Sequence, residues 1–524
     1  MSKTEAFSSE ITAGYSFSGN SIVLGAAMLE GQAITGLQVK VPLRTMNRHG
    51  LIAGATGTGK TKSLQVIAEQ LAANGVPSLL MDIKGDLSGV AMPGSENPKI
   101  AERAQKMGIS WKATGNTVEF LSLSNEKGAR LRATVSEFGP VLFSRILGLN
   151  DTQGGVVAVI FKYCDDKGLP LLDLKDFKKV LQFLSNEGKE EIEAEFGQFS
   201  AATAGTILRK VVELEQQGAD QFFGEISFDV ADLCRIDENG RGVINIVRLT
   251  DIQDRPKLFS TFMLQMLAEI YSSFPEEGDM EQPKLCIFID EAHLVFQEAS
   301  AALMQQMEAI IKLVRSKGIG IYFITQNPAD IPDSILAQLG LKVQHALRAF
   351  TAKDRKAIKL AAENYPITEW YATEDLLTHL GIGEALVSVL NEKGIPTPLA
   401  HTLMRAPESR MDILSDVEID YIIQHSGLVR KYNQEVDRES AYEMLTEKIQ
   451  EAAQMNAPSP AADSTRTTTS GRPAKAEKGV IEQVMDNPLA RQVGRTVARE
   501  LTRGLLGVLG LGGSSKSRKK TGWF

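Results

Sequence analysis

The chain has 524 residues, of which 43% are hydrophobic and 23% charged, and its formal net charge is −8. This length and composition allow a substantial buried core, while the acidic balance argues against a nucleic-acid-binding surface over the whole protein. The cysteines Cys164, Cys234 and Cys286 form no C-x-x-C pair, which suggests neither a disulfide framework nor a zinc site and fits a reducing cytoplasm. The first residues lack the apolar part of a secretion signal, and no apolar stretch reaches the roughly 20 residues that span a membrane. We therefore expect a cytoplasmic protein without an integral membrane segment.

The N-terminal residues 1–48 carry short alternating patterns separated by glycine turns. Two examples are residues 15–19 and 37–41, and both patterns are typical of strands. The sequence thus predicts a short β-rich N-terminal segment.

A complete phosphate-binding loop, GATGTGKT, occupies residues 54–61 between an apolar run at 51–53 and a helical pattern at 63–72. Its glycines allow backbone N–H groups to surround phosphate oxygens at a helix N-terminus. Lys60 is expected to reach the β- and γ-phosphates, and the Thr61 hydroxyl to ligate Mg²⁺. A glycine-rich turn before an ordinary helix is the alternative, and the flanking strand and helix patterns argue against it. The predicted nucleotide-binding residues are Gly54, Ala55, Thr56, Gly57, Thr58, Gly59, Lys60, Thr61 and Lys62.

Residues 77–80 and the stretch 81–87 that follows predict the second strand of the sheet, with Asp82 and Asp86 on the loop at its C-terminal end. These carboxylates would belong to the outer shell of a metal or to a subunit contact, or they would simply form the turn. Residues 49–128 are therefore the expected first part of an ATPase core.

Residues 129–240 are predicted to be a helical insertion, because Phe177, Val180, Leu181 and Leu184 repeat at helical spacing. A strand pattern at 242–247 and a helix pattern at 258–271 then begin the second part of the core, residues 241–405. The strand-like residues 384–390 are expected to end that core.

An acidic pair follows the apolar run at residues 285–289, which has the composition of a strand buried on both faces. Ligands of parallel sheets bind beyond the carboxyl ends of the strands. Asp290 is therefore expected to hold Mg²⁺ through water, and Glu291 to polarise the attacking water.

Another buried-strand pattern at residues 320–325 ends in Gln326, which should reach the same sheet edge. Its amide would hydrogen-bond the γ-phosphate or the attacking water. The alternative is a strand-end amide that satisfies loop backbone.

Four stretches together resemble the HerA–FtsK superfamily of P-loop ATPases, and within it the bacterial HerA-like YjgR group. They are GATGTGKT, LCIFIDEAHL, LVRSKGIGIYFITQNPADIP and VQHALRAFTAKDRKAI, and the resemblance spans roughly residues 20–405. It implies an α/β fold with a RecA-like P-loop core, a mainly parallel sheet and an additional strand between the two Walker strands. It also implies hexameric rings that use ATP to move DNA or protein through a channel. Lys60 and Thr61 match the Walker A positions, Asp290 and Glu291 the Walker B positions, and Gln326 the glutamine after the following strand.

Three arginines fall in the resembling segments: Arg315 before that strand, and Arg348 and Arg355 after it. One of them would stabilise the transferred phosphoryl group of a neighbouring subunit as an arginine finger. The sequence does not distinguish among them. For Arg315, on a helical pattern at 308–316, a solvated helix face is the alternative.

The letters DEAH at residues 290–293 also suggest helicases with two RecA-like lobes. Too little chain follows residue 405 to build a second lobe, so His293 is interpreted as a residue of a helix surface or interface.

The C-terminal part is predicted as helices at 406–454, a flexible linker at 455–478, and a basic amphipathic helix with a disordered end at 479–524. From residue 489 onward there are eight lysines or arginines and one acid, a charge of +7. Arg491, Arg495, Arg499 and Arg503 repeat every four residues, opposite an apolar row. This face would bind nucleic-acid phosphate, an anionic membrane surface or an acidic partner, or would be a solvated face.

These patterns favour a Mg²⁺-dependent ATPase that forms a homohexamer and moves duplex DNA. The second hypothesis is an ATP-driven remodelling or pumping enzyme that acts on a protein partner, chosen by the insertion and the C-terminal tail. The third is a nucleotide-gated interaction module with slow hydrolysis, against which Glu291 argues.

Overall fold

The computed structural model describes residues 2–197, 200–278, 280–296, 301–436 and 438–455. Residues 456–524 contain nearly all of the predicted linker and the whole basic tail. The predictions for Arg491, Arg495, Arg499 and Arg503 therefore lie outside the described residues.

Strands and helices of the described residues are as follows. The strands are β1 Ser21–Leu29, β2 Gln32–Pro42, β3 Gly50–Ala53, β4 Ser78–Asp82, β5 Val118–Ser122, β6 Ala129–Arg130, β7 Ile244–Arg248, β8 Leu285–Ile289, β9 Ile319–Thr325, β10 Leu341–Gln344, β11 Glu384–Ser388 and β12 Ala400–Met404. The α-helices are α1 Lys3–Gly14, α2 Lys60–Ala73, α3 Pro98–Met107, α4 Val135–Ile146, α5 Asp151–Lys167, α6 Leu174–Ser185, α7 Lys189–Phe196, α8 Ala201–Gln216, α9 Pro256–Ser273, α10 His293–Phe296, α11 Ala301–Val314, α12 Asp333–Leu336, α13 Ala352–Glu363, α14 Thr373–His379, α15 Asp416–His425, α16 Gly427–Tyr432 and α17 Ala441–Met455.

These twelve strands form one sheet in the order β2-β1-β12-β11-β10-β3-β9-β8-β4-β7-β5-β6. From β10 to β6 in this order every neighbouring pair is parallel, whereas the pairs from β2 to β10 are antiparallel. Strand β9 lies between β3, which precedes the phosphate loop, and β8, which precedes the acidic pair. The α/β class, the mainly parallel sheet and the additional strand between the Walker strands are thus confirmed.

The central strands are buried on both faces. Every residue of β3, β4, β8 and β9 is buried, as expected for parallel strands covered by helices on both sides. Phe288 of β8 stacks on Tyr322 of β9, with ring centroids 4.8 Å apart. This continuous core fixes the strands whose carboxyl ends carry the predicted site.

The N-terminal segment begins with a helix, so the predicted strand at residues 15–19 is wrong. Phe7, Ile11 and Tyr15, spaced by four residues, are all buried along one side of α1 and its C-terminus. Ser2 and Glu5 form a capping box that begins this helix. Residues 37–41 do lie in a strand, β2, and the β1–β2 hairpin pairs with β12. The segment therefore extends the central sheet.

A further strand follows β11, so the prediction that residues 384–390 end the core is wrong. Strand β12 is short and alternates small, polar and apolar residues, which hides it from a search for apolar runs. It is buried because it lies between β11 and β1.

The chain between β6 and β7 is mostly helical and contains α4 to α8. Phe177, Val180, Leu181 and Leu184 are buried on α6, and Asp173 caps that helix. The described residues of 2–271 and 276–450 form one compact unit that contains the whole sheet. Across the described residues, we find no helix with the length and apolar character needed to cross a bilayer.

Candidate nucleotide site

The phosphate loop connects β3 to α2 at the carboxyl edge of the parallel strands. Gly54 and Gly59 have φ angles of +151° and +121°, which residues with a Cβ rarely adopt. A Cβ on Gly54 would also lie 2.6 Å from the Cβ of His345. The predicted strand, loop and helix are confirmed, and the tight approach of β10 explains why glycine begins the loop.

Lys60, the first residue of α2, lies across the loop. Its ammonium donates hydrogen bonds to the carbonyl oxygens of Gly54, at 2.7 Å, and Ala55, at 3.1 Å. Burial lowers the pKa of Lys60, and the nearby Lys84 lowers it further, while Glu291 acts in the opposite direction. The predicted phosphate-binding lysine and the predicted catalytic glutamate thus lie within one electrostatic site.

The remaining loop side chains have separate contacts. The Thr58 hydroxyl donates to Ala55 O at 2.7 Å, inside the loop. Lys62 instead donates to Met411 O, in the segment that follows β12. Lys62 was predicted to bind nucleotide, but in the structure its ammonium contacts a distant segment of the chain.

Asp290 immediately follows β8 and is 3% exposed. Burial raises its pKa to about 6, an increase that Lys84 opposes. Among the described residues, its Oδ2 has no hydrogen-bond partner, and a buried carboxylate oxygen is costly unless a ligand completes it. Thr61 lies in the first turn of α2. A carboxylate and a hydroxyl fit Mg²⁺, which typically takes few protein ligands and completes its shell with water and phosphate oxygens.

No larger metal-binding cluster of histidine, cysteine, aspartate and glutamate occurs in the part of the chain that the structure describes. A magnesium ion bound together with nucleotide needs no such cluster. Thr61 and Asp290 therefore suffice as the protein ligands of the predicted Mg²⁺.

Glu291 has a φ angle of +44°, in the left-handed region that a non-glycine residue seldom adopts. Its side chain is 7% exposed and contacts the ammonium of Lys84. The Nδ1 atom of His293 lies 3.3 Å from its Oε2. His293 begins α10 with a third of its side chain exposed, next to the site. Strained backbone of this kind is concentrated at functional positions.

The loop after β4 supplies Lys84, which the sequence prediction missed. Asp82 shapes this loop by accepting hydrogen bonds from the backbone N–H groups of Gly85, Asp86 and Leu87 at 2.7, 3.1 and 3.2 Å. The turn-forming alternative is thus the one that the contacts of Asp82 support. A basic residue directly after a strand of the same edge was the available signal for Lys84.

Gln326 follows β9 and is exposed at the same edge. The Thr56 hydroxyl of the phosphate loop lies 3.5 Å from its Oε1. Loop backbone beyond β9 is satisfied by other side chains, since Asn327 accepts from Ala329 N and Asp330 accepts from Asn327 N. These contacts favour a role for Gln326 towards the phosphate loop over the alternative of a structural amide.

The three predicted arginines lie at two different edges. Arg348 and Arg355 follow β10 at the carboxyl edge and are exposed, and Arg348 donates to Thr378 O at 3.1 Å. Arg315 lies in a 3₁₀ turn after α11 and before β9, hence at the opposite edge, where its carbonyl accepts from Asn47 at 3.4 Å. Within one chain, Arg315 is therefore not brought to the phosphate loop. A role for any of the three across subunits stays a prediction.

His345, at the end of β10, is a second residue that the sequence prediction missed. Glu384 O lies 2.8 Å from its Nδ1 and can only accept, so Nδ1 carries the hydrogen; Nε2 then accepts from the Ser63 hydroxyl at 2.9 Å. Its backbone N–H donates to Ala53 O, directly before the loop, at 2.7 Å. His345 therefore attaches both ends of the phosphate loop to β10.

The stability of the protein should depend on pH through His345. Burial lowers its pKa from 6.5 to about 4, so the unfolded chain binds more protons between these values and stability falls as the pH decreases through this range. The loss attributable to one such residue is about 3 kcal/mol. We expect His345→Gln to lose less thermal stability than the wild type between pH 7.5 and pH 5, as measured by melting temperature. Buried Glu69 and Asp82, whose pKa values are raised to about 7, act oppositely in both proteins. An identical decrease in both proteins would contradict the prediction.

The parallel sheet, the glycine loop and the acidic pair beyond β8 define the chain as a P-loop nucleotide-binding protein. The sequence model of the family described as Helicase HerA-like C-terminal matches residues 28–516. The chain belongs to this family, which confirms the resemblance found in the sequence.

Curated relatives include two archaeal proteins named DNA double-strand break repair helicase HerA. The one from Sulfolobus acidocaldarius is 22% identical over 374 residues, which cover 69% of this chain and 66% of the relative. The one from Saccharolobus solfataricus is 22% identical over 366 residues, which cover 67% of this chain and 63% of the relative. The chain thus spans slightly less than two thirds of the length of these relatives.

Similar solved structures include the bacterial conjugative coupling protein TrwBdeltaN70, at 13% identity and a TM-score of 0.49, covering 78% of this chain and 95% of that one. VirB4 of Thermoanaerobacter pseudethanolicus has 15% identity and a TM-score of 0.47, covering 75% of this chain and 98% of that one.

Proposed function

We propose that the protein is a Mg²⁺-dependent ATP hydrolase that assembles into a ring, a homohexamer, and moves duplex DNA. The observation that carries the hydrolase part is the grouping of Lys60, Asp290 and Glu291 at the carboxyl ends of β3 and β8. The three groups are close enough for their charges to interact, and the carboxylates of Glu291 and Asp290 both act to raise the pKa of Lys60 against the effect of burial. This grouping supplies phosphate binding, metal binding and water activation in one place.

The geometry of the site supports the following roles. The loop N–H groups and Lys60 bind the phosphates, with phosphate oxygens replacing the carbonyls of Gly54 and Ala55 as acceptors. Thr61 and Asp290 would hold Mg²⁺, which neutralises charge on the β- and γ-phosphate oxygens when bound. Glu291, at the end of β8, takes a proton from the attacking water. Gln326 orients that water or the γ-phosphate from the end of β9.

Duplex DNA is proposed as the polymer because the named HerA relatives are DNA repair helicases. The structure adds a basic surface: Lys353, Arg355, Lys356 and Lys359 are exposed on α13, beyond β10. The carboxylate of Asp354 on the same helix accepts hydrogen bonds from the backbone at Phe350 and Thr351. Such a local cluster can bind phosphate although the whole chain is acidic.

The test is steady-state ATP hydrolysis by the full chain without polymer, with duplex DNA and with single-stranded DNA. We expect duplex DNA to raise the turnover, this increase to shrink as salt is added, and excess EDTA to abolish turnover. Mg²⁺-dependent turnover that is indifferent to both DNAs would contradict the DNA motor and favour a protein substrate. Nucleotide binding without hydrolysis would contradict the hydrolase and favour a nucleotide-gated interaction module.

The ring is tested separately by native mass measurement with and without ATP. A hexamer in either condition supports the proposal. A strict monomer in both conditions would contradict it.

A further inference from the structure

Lys84 lies beside Glu291 because of the sheet register. Strands β4 and β8 are adjacent and parallel, and Met81 pairs with Ile289. The loop that leaves β4 therefore runs beside the acidic pair that leaves β8, and the Lys84 ammonium contacts the Glu291 carboxylate. The Lys84 side chain is 37% exposed, compared with 7% for Glu291. Lys84 thus approaches a buried carboxylate from the solvent side of the site.

The contact holds Glu291 in one arrangement. The backbone of Glu291 adopts φ +44°, which a non-glycine residue keeps only when its surroundings fix it. Its carboxylate is buried next to the carboxylate of Asp290, so the ammonium of Lys84 offsets two negative charges. A carboxylate in direct contact with a lysine ammonium is a poorer base towards water than one that is free to accept its proton.

Lys84 also interacts electrostatically with Lys60, the predicted phosphate-binding lysine. Among the charged neighbours of Lys60, Lys84 has the largest effect on it, and both ammonium groups are influenced by Asp86, Asp290 and Glu291. A terminal phosphoryl group bound by Lys60 would therefore enter the reach of the second ammonium. Phosphate oxygens are strong acceptors for lysine and would compete with Glu291 for it.

We propose that Lys84 is a positioning residue that holds the Glu291 carboxylate until a terminal phosphoryl group competes for its ammonium, and that this exchange frees Glu291 to activate water. The proposal rests on the ATP hydrolase function proposed above. It makes the site respond to the γ-phosphate: a nucleoside diphosphate presents no competitor, so Lys84 stays on Glu291.

The experiment compares the binding of ADP and of a non-hydrolysable ATP analogue, both with Mg²⁺, by calorimetry in the wild type and in Lys84→Met. Methionine keeps much of the side-chain length but removes the charge. We expect the affinity for ADP to change by less than about twofold and that for the ATP analogue to fall ~10-fold, as one lost charge-assisted contact implies. In the same variant kcat should fall ~10- to 100-fold, because the ammonium that contacts the terminal phosphoryl group is lost, and KM for ATP should rise together with the weaker binding of the ATP analogue.

Lys84→Arg keeps a cation and should recover a substantial part of both effects. Lys393→Met is the matched control, since Lys393 is exposed in the loop between β11 and β12, away from the carboxyl edge. It should match the wild type in both assays. The melting temperature of each variant shows whether it is folded. If Lys84→Met does not fold, Lys84→Gln takes its place in both assays.

Equal weakening of ADP and the ATP analogue would overturn the proposal, because Lys84 would then act on the site as a whole. Unchanged kcat and an unchanged ratio of the two affinities would overturn it as well. Both results leave the hydrolase proposal standing. A wild-type chain that binds neither nucleotide would instead contradict the hydrolase proposal itself.

Discussion

Glu291→Gln is expected to lower the turnover of ATP by ~10²- to 10⁴-fold while nucleotide binding is retained. The amide has the size of the carboxylate but does not take a proton from water. Glutamine also removes the charge that Lys84 contacts in the structure. If Lys84 turns to the terminal phosphoryl group, the variant should bind the ATP analogue at least as tightly as the wild type.

The measurement is steady-state hydrolysis together with calorimetric binding. Glu447→Gln is the matched control, because Glu447 is exposed on α17. Wild-type turnover in Glu291→Gln would remove Glu291 from the chemistry and leave the hydrolase proposal without its base. Loss of binding and turnover together would show that Glu291 supports the site instead of acting on water.

Glu69→Ala is expected to destabilise the protein by about 3 kcal/mol, since it leaves three buried or partly buried donors without their acceptor. Glu69 is 5% exposed on α2, the helix that begins with Lys60. Its carboxylate accepts from the backbone N–H groups of Glu408 and Ser409, at 2.8 and 3.1 Å, and from the Ser409 hydroxyl at 2.8 Å. The melting temperature should fall by several degrees, on the order expected for that loss in a large protein.

Glu69→Gln keeps an acceptor oxygen and should lose less stability than the alanine variant. Burial raises the pKa of Glu69 to about 7, so the comparison is best made at pH 8, where the wild-type carboxylate is ionised. Equal melting temperatures for wild type and Glu69→Ala would show that the segment after β12 does not depend on this contact.

The features that were predicted correctly from the sequence are those marked by a pattern of residues close together in the chain. The phosphate loop, the acidic pair and Gln326 each follow a strand made of neighbouring apolar residues, and the sheet then gathers the strand ends at one edge. Asp290 and Glu291 were predicted to face this edge for that reason. The α6 helix was predicted equally well, since its apolar residues repeat at helical spacing.

The features that were missed depend on contacts between distant parts of the chain. A role for Lys84 is visible only from its contact with Glu291. A role for His345 is visible only from its hydrogen bond with Ser63, which is 282 residues away in the sequence. Strand β12 pairs on one side with the preceding strand β11, but on its other side with β1, which lies far away in the sequence. Arg315 was placed correctly before β9, but only the strand direction shows that it lies at the edge away from the phosphate loop.

The position of β9 sets the distance between the strand before the phosphate loop and the strand before the acidic pair. Neighbouring strands are about 4.8 Å apart, so β3 and β8, with β9 between them, are separated by roughly 10 Å. Adjacent Walker strands would halve that distance and crowd Lys60 against Glu291. In the proposed mechanism the intervening strand acts as a spacer: it leaves room for a phosphoryl group, a metal ion and a water molecule, and Gln326 follows its end at the same edge.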